Sequence, residues 1–134
     1  MKRIFQFSIL AVSALSLISC EREVIQDDPA PKVSFNMMAP LNMSTYHLGD
    51  TVHIHGDIQY QPGLHGYALE IYNTSADTVV FTAEEHAHGT SVNIHEMWVN
   101  DVTQHSDMRL IISAEISHDG MTVSDTIHFH CHPM

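Results

Sequence analysis

The sequence has 134 residues, of which 5 are Lys or Arg and 16 are Asp or Glu, giving a net charge of −11 with His neutral. This length predicts one domain, and such acidity argues against nucleic acid as a partner and favours cations. The chain also has 12 His, whose protonation near a pKa of about 6.5 would offset most of the negative charge.

The first twenty residues predict an export signal. Lys2 and Arg3 form a basic start, residues 4–17 are mostly apolar, and Leu17-Ile18-Ser19-Cys20 follows. The apolar run is too short for a transmembrane helix. The segment resembles the lipobox of bacterial lipoproteins, which implies cleavage after Ser19 and lipid attachment to Cys20. An ordinary secretory signal with an unrelated cysteine is the alternative.

This interpretation divides the chain into three parts. Residues 1–19 are a signal peptide, residues 20–32 are the lipidated Cys20 and a charged, proline-containing flexible tether, and residues 33–134 are the domain. Cys131 is then left without an intrachain disulfide partner, so packing has to stabilise the domain. We therefore expect a protein of the bacterial cell envelope that its N-terminal lipid holds at a membrane. The outer membrane is the favoured location.

From Val33 onward, apolar residues alternate with a period of two, which predicts strands rather than helices. Pro62-Gly63 and Gly66 predict breaks, and Asp119-Gly120 predicts a tight hairpin between the last two strands. Seven short strands at this spacing predict an all-β, antiparallel β-sandwich. The predicted strands cover residues 33–37, 51–60, 67–71, 79–81, 90–99, 110–116 and 123–129.

Two stretches carry a resemblance to a known class of domain. Pro40 through Leu48-Gly49-Asp50-Thr51-Val52-His53-Ile54 resembles the opening strands of bacterial immunoglobulin-like domains, and residues 110–129 resemble their closing strand pair. The resemblance covers most of residues 33–132. Together with the lipobox, the chain resembles small immunoglobulin-like lipoproteins of Bacteroidetes, which implies an Ig-like sandwich and no particular activity.

His-x-His occurs four times, although about one occurrence is expected from the His content. On a strand this spacing places both rings on one face, which suits Zn²⁺ or Cu²⁺. A third ligand would have to come from another part of the fold. The pairs are His53/His55, His86/His88, His128/His130 and His130/His132.

The last strand gives the strongest candidate. Alternation predicts that Ile127, Phe129 and Cys131 face the core, while three His follow one another on the other face about 6.6 Å apart. These His residues predict a metal site, with a solvated polar face on an edge strand as the alternative. They are His128, His130 and His132.

The other pairs are secondary candidates. His86 and His88 follow Glu84 and Glu85 in a predicted loop, so two carboxylates and two imidazoles form a possible ligand set, with a polar loop as the alternative. His53 and His55 are either ligands or exposed strand positions. The isolated His residues are predicted to be surface or structural residues: His47, His65, His95, His105 and His118.

We therefore predict a non-enzymatic, lipid-anchored Ig-like module that binds Zn or Cu through clustered His. The main alternative is an interaction domain that binds another envelope protein or a glycan without metal. A metalloenzyme with an open Zn or Cu site is a weaker alternative. No nucleophile elbow, phosphate loop or His-Glu-x-x-His sequence is present to indicate a particular enzyme.

Overall fold

The structure is a computed structural model that describes residues 29–134. The predicted signal peptide, Cys20 and most of the predicted tether lie outside this range. Residues 29–32, the end of the tether, are exposed and belong to no strand. Within the described range, no helix is long and apolar enough to cross a membrane.

Residues 29–134 form six strands and no helix, which confirms the all-β prediction. Five of them form a hydrogen-bonded path in the order β1-β3-β5-β6-β2, and β4 pairs with β3. All neighbours are antiparallel except β2 and β6, which are parallel. The strands are β1 Ser34–Ala39, β2 Ser44–His47, β3 Thr51–Asn73, β4 Thr78–Val99, β5 Ser106–Glu115 and β6 Thr122–His132.

Strands β3 and β4 make the sheet curl into a sandwich-like shape. The first half of β3 pairs with β1 and with the second half of β4. The second half of β3 pairs with β5 and with the first half of β4. One core cluster contains Val52 and Ile54 from the first half together with Leu110 and Ile112 from β5. Burying each such side chain contributes roughly 1.5–3 kcal/mol.

The segments predicted to break the chain are irregularities inside long strands. The β3–β4 register shifts between Gln59 and Leu64 and again before Gly66, so the ladder continues past both sites. Gly63 has φ +117°, a conformation that residues with a Cβ rarely adopt. Two pairs of predicted strands therefore join into β3 and β4, while the short strand β2 lies between the predicted strands 33–37 and 51–60.

The predicted closing hairpin is present, but its turn spans residues 117–120 and is longer than the two-residue turn predicted at Asp119-Gly120. Strands β5 and β6 pair from Ser106↔Cys131 to Glu115↔Thr122. In the turn, the Gly120 backbone N–H donates to the Ser117 carbonyl at 3.1 Å.

The predicted inward face of β6 is also confirmed. Ile127, Phe129 and Cys131 are buried in the core. Burial, with a smaller contribution from Asp101, raises the pKa of Cys131 to about 11. Its sulfur is therefore a neutral thiol that packs in the core at neutral pH.

Candidate functional site

The fold gathers most of the His residues into two surface groups. The bend cluster comprises His65, His86, His88 and His118, with Glu85 and Glu115 beside them. The end cluster comprises His47, His105, His130 and His132, with Asp107 beside them.

A bulge brings His86 and His88 of the bend cluster together. Leu64 pairs with Gly89 and Gly66 pairs with His86, so β4 has one more residue than β3 across this interval. The Nε2 atoms of His86 and His88 are 3.0 Å apart, and their rings are perpendicular. In a regular strand, alternate residues are about 6.6 Å apart along the chain. The two nitrogens are thus at hydrogen-bonding distance, on a part of β4 that lies at this bulge.

Two further rings complete the imidazoles of the bend cluster. The His65 ring centroid lies 3.9 Å from that of His118 and 5.7 Å from that of His88. Desolvation, followed by repulsion from His118 and His88, lowers the pKa of His65, although Glu115 acts in the opposite direction. The Nδ1 atom of His65 is buried and has no hydrogen-bond partner among residues 29–134. Neutral imidazole is the form that binds metal ions.

Carboxylates border the same group. The Tyr67 hydroxyl donates to Glu85 at 3.0 Å, and desolvation together with this bond raises the Tyr67 pKa to about 12. Glu84, Glu85, His86 and Glu115 line one groove. A Cβ on Gly66 would lie 2.7 Å from the Glu85 carbonyl oxygen, so only glycine lets β3 and β4 approach this closely here.

The end cluster lies at the open end of the β5–β6 hairpin. His130 Nδ1 donates to the Asp107 carboxylate at 2.8 Å, since a carboxylate can only accept. The His132 ring centroid is 4.3 Å from that of His105 and 6.3 Å from that of His47. Desolvation and then repulsion from His105, His47 and His130 lower the pKa of His132.

The predicted stripe on β6 divides between two places. His130 and His132 line one pocket of about 200 Å³ with His105 and Asp107. His128 is exposed and lines neighbouring grooves instead. The three residues share a face as predicted, but only two of them line the end-cluster pocket.

His53 and His55 lie on the outer face of β3, as the alternation predicts. The His55 ring lies 4.8 Å from that of His95, its partner on β4, and His53 pairs with Met97. The predicted loop residues Glu84 and Glu85 are in β4, not in a loop.

Within residues 29–134, no group of three or more His, Cys, Asp or Glu side chains is positioned to hold a metal ion together. Both clusters instead offer close pairs of imidazoles with other candidate ligands beside them. Exposed rings would have to rotate to complete either coordination sphere.

Comparison with known protein families finds no matching family model, and no curated protein matches the sequence. The fold and the surface define the class as an all-β, sandwich-like domain with two clusters of His. The resemblance to immunoglobulin-like lipoproteins stays a prediction from the sequence.

Proposed function

We propose that this protein is a lipid-anchored module of the bacterial envelope that binds a transition-metal ion, Zn²⁺ or Cu²⁺, at the bend cluster. The observation that carries the metal site is the 3.0 Å separation of the His86 and His88 Nε2 atoms. Two ligand nitrogens of a tetrahedral zinc site, with Zn–N bonds of about 2.05 Å, are roughly 3.3 Å apart. The two side chains are thus close to the spacing that a shared ion requires.

The other ligands come from the same group. His65 and His118 add imidazoles, and Glu115 adds a carboxylate, the ligand types that Zn²⁺ and Cu²⁺ accept. Rotation of an exposed ring or carboxylate brings in the third ligand, and the ion replaces the contact between His86 and His88. The negative net charge favours the approach of cations from solution.

The bound ion has a holding or buffering role in this proposal, not a catalytic one. A catalytic zinc site would need an open coordination position inside a substrate pocket. The groove beside His86 is lined by Glu84, Glu85 and Glu115, which favour cations over anionic substrates.

Calorimetric titration tests the site. The full chain, purified in detergent, is titrated with Zn²⁺ and with Cu²⁺, and we expect stoichiometric binding with a sub-micromolar Kd. The variant His86→Ala/His88→Ala should lose one ion per chain, because both close nitrogens are removed.

The matched control is His53→Ala/His55→Ala, which removes another His-x-His pair from an exposed part of a strand. It should bind as the wild type does. Unchanged stoichiometry in the His86→Ala/His88→Ala variant, or equal losses in both variants, would contradict the bend-cluster site.

One observation favours an interaction domain as the second candidate. Met38, Met97 and Val99 are exposed large hydrophobic side chains. Met97 and Val99 alternate with buried Trp98 on β4, which pairs with β3 alone among the six described strands. An exposed apolar strand of this kind suits contact with another envelope protein. Under this alternative, the same titration gives no stoichiometric metal binding.

A further inference from the structure

We infer that the end cluster is a second, independent site for a borderline divalent cation of the Zn²⁺ type, with His105, His130 and His132 as ligands. This site goes beyond the proposed function, because it lies in another part of the fold and does not require the bend cluster to bind metal.

The contact between His130 and Asp107 is the first observation. His130 Nδ1 lies 2.8 Å from the Asp107 carboxylate oxygen and donates its proton to it. The lone pair of Nε2 is therefore free to bind a metal ion. A metal-binding His typically donates its other ring N–H to a carboxylate or carbonyl, which fixes the ring and raises its basicity. Asp107 thus stands in the position of an outer-shell partner, on the neighbouring strand β5.

The pocket supplies the other two ligands. His105 and His132 line the same space of about 200 Å³ as His130, and their ring centroids are 4.3 Å apart. A water occupies about 30 Å³ in the liquid, so this pocket has room for an ion with a bound water. The three imidazoles do not surround one point in this structure, so rotation of the exposed His105 ring has to complete the set. With one position left open, three imidazoles match the borderline ligand preference of Zn²⁺, whereas Ca²⁺ and Mg²⁺ require oxygen ligands.

The strand order explains how the cluster forms. The parallel pairing of β2 with β6 puts His47 directly opposite His132, and their ring centroids are 6.3 Å apart. His47 therefore lies at the rim of the cluster, with its backbone N–H held by the Asp50 carboxylate at 2.8 Å. The residues that line the pocket itself come from other parts of the chain, and none of them belongs to β2.

The two clusters are far apart. Asp107 and His130 pair near the open end of the β5–β6 hairpin, whereas Glu115 pairs next to its turn. Asp107 and Glu115 are eight positions apart along β5, which corresponds to about 26 Å. Substitutions in one cluster should therefore act independently of substitutions in the other.

The test uses the full chain in detergent, titrated with Zn²⁺, with Co²⁺ absorption as a second readout of coordination. The variant His105→Ala/His132→Ala should lose one ion per chain, and Asp107→Asn should keep this ion but bind it about 10–100-fold more weakly. The control His128→Ala removes an exposed His from the same face of β6 and should keep full binding. Circular dichroism confirms that each variant is folded.

Each result separates this site from the bend cluster. Loss of one ion in His105→Ala/His132→Ala and of a different one in His86→Ala/His88→Ala supports both sites. If the wild type binds a single ion that only the His105→Ala/His132→Ala variant loses, the end-cluster site stands and the proposed bend-cluster function fails. Unchanged stoichiometry in folded His105→Ala/His132→Ala protein, or no binding by the wild type, overturns the inference.

Discussion

Tyr67 shows how one buried side chain connects the core to the bend cluster. Its ring is part of the core, and its hydroxyl reaches the Glu85 carboxylate at 3.0 Å. Desolvation is the first cause of its raised pKa, and the hydrogen bond to Glu85 is the second. Both favour the protonated phenol in the folded state, so Tyr67 holds Glu85 in place while it stays protonated.

This contact predicts a loss of stability at high pH. The folded pKa of about 12 is above the ordinary tyrosine value of 10.0, so the contribution of Tyr67 is complete below pH 10. It is lost as the pH rises from about 10 to about 12, because only the unfolded state releases the proton in that window. Allowing for solvent screening, the loss is at most about 2 kcal/mol.

Urea unfolding at several pH values between about 9 and 12 measures this loss. The variant Tyr67→Phe should be less stable by about 0.5–1.5 kcal/mol at pH 7, because the hydrogen bond is absent, and its stability should fall less above pH 10. The pKa of Tyr72 is also raised, mainly by its hydrogen bond to Asp77. Because Tyr72 is present in both proteins, its own effect on stability at high pH is the same in each. An equal fall in both proteins above pH 10 would contradict this role of Tyr67.

At the scale of elements, the packing of β1 on β3 depends on Gly56. A Cβ at this position would lie 2.6 Å from the Asn36 carbonyl oxygen and 2.8 Å from the Met37 Cα. Both atoms belong to the backbone of β1, so no side chain can rotate to make room. Gly56→Ala should therefore force the two strands apart and lower the free energy of unfolding by about 1–3 kcal/mol.

Urea unfolding of Gly56→Ala measures this effect, and Gly120→Asn is the matched control. Gly120 has φ +78°, and a Cβ added there would meet no atom of the described residues within 4 Å. Asn tolerates this left-handed conformation better than most residues, so the control should stay within about 0.5 kcal/mol of the wild type. Equal destabilisation by the two substitutions would mean that the approach of β1 to β3 is not limiting.

Period-two alternation was sufficient to predict β1, β5, β6 and the two halves of β3, because each buries one face. It correctly predicted the inward positions of Ile127, Phe129 and Cys131. It did not predict that β3 continues through Pro62-Gly63, because the two strand segments on either side join across a bulge that local turn chemistry alone does not reveal. Strand β2 was missed because it pairs in parallel with β6, a partner far along the chain.

The sequence predicted only two of the four His residues in each cluster, because pairing between distant parts of the chain brings in the other two. Spacing identified His86/His88 and His130/His132, since alternate residues of a strand share a face. It gave no signal for His65, His118, His105 or His47. His47 joins its group through the register of β2 on β6, and His65 lies opposite the His86–His88 segment through the pairing of β3 with β4. Both features depend on tertiary structure.

At the scale of the whole molecule, the proposed function combines negative charge with a lipid anchor. The chain carries an excess of carboxylates, and the two His clusters lie at opposite ends of the β5–β6 hairpin. This arrangement suits a module that takes up ions near the membrane surface.

The anchor gives the last prediction. The sequence Leu17-Ile18-Ser19-Cys20 resembles a lipobox, and the apolar run of residues 4–17 before it is too short to span a bilayer. Membrane attachment should therefore depend on the thioether-linked lipid at Cys20, and Cys20→Ala should move the protein from the membrane fraction to the soluble fraction or leave it as unprocessed precursor. Cys131→Ala removes the other cysteine, which is buried in the core, and this variant should stay in the membrane fraction. Fractionation with mass spectrometry of the N-terminal peptide measures both outcomes, and a wild-type N-terminus without lipid would refute the anchor.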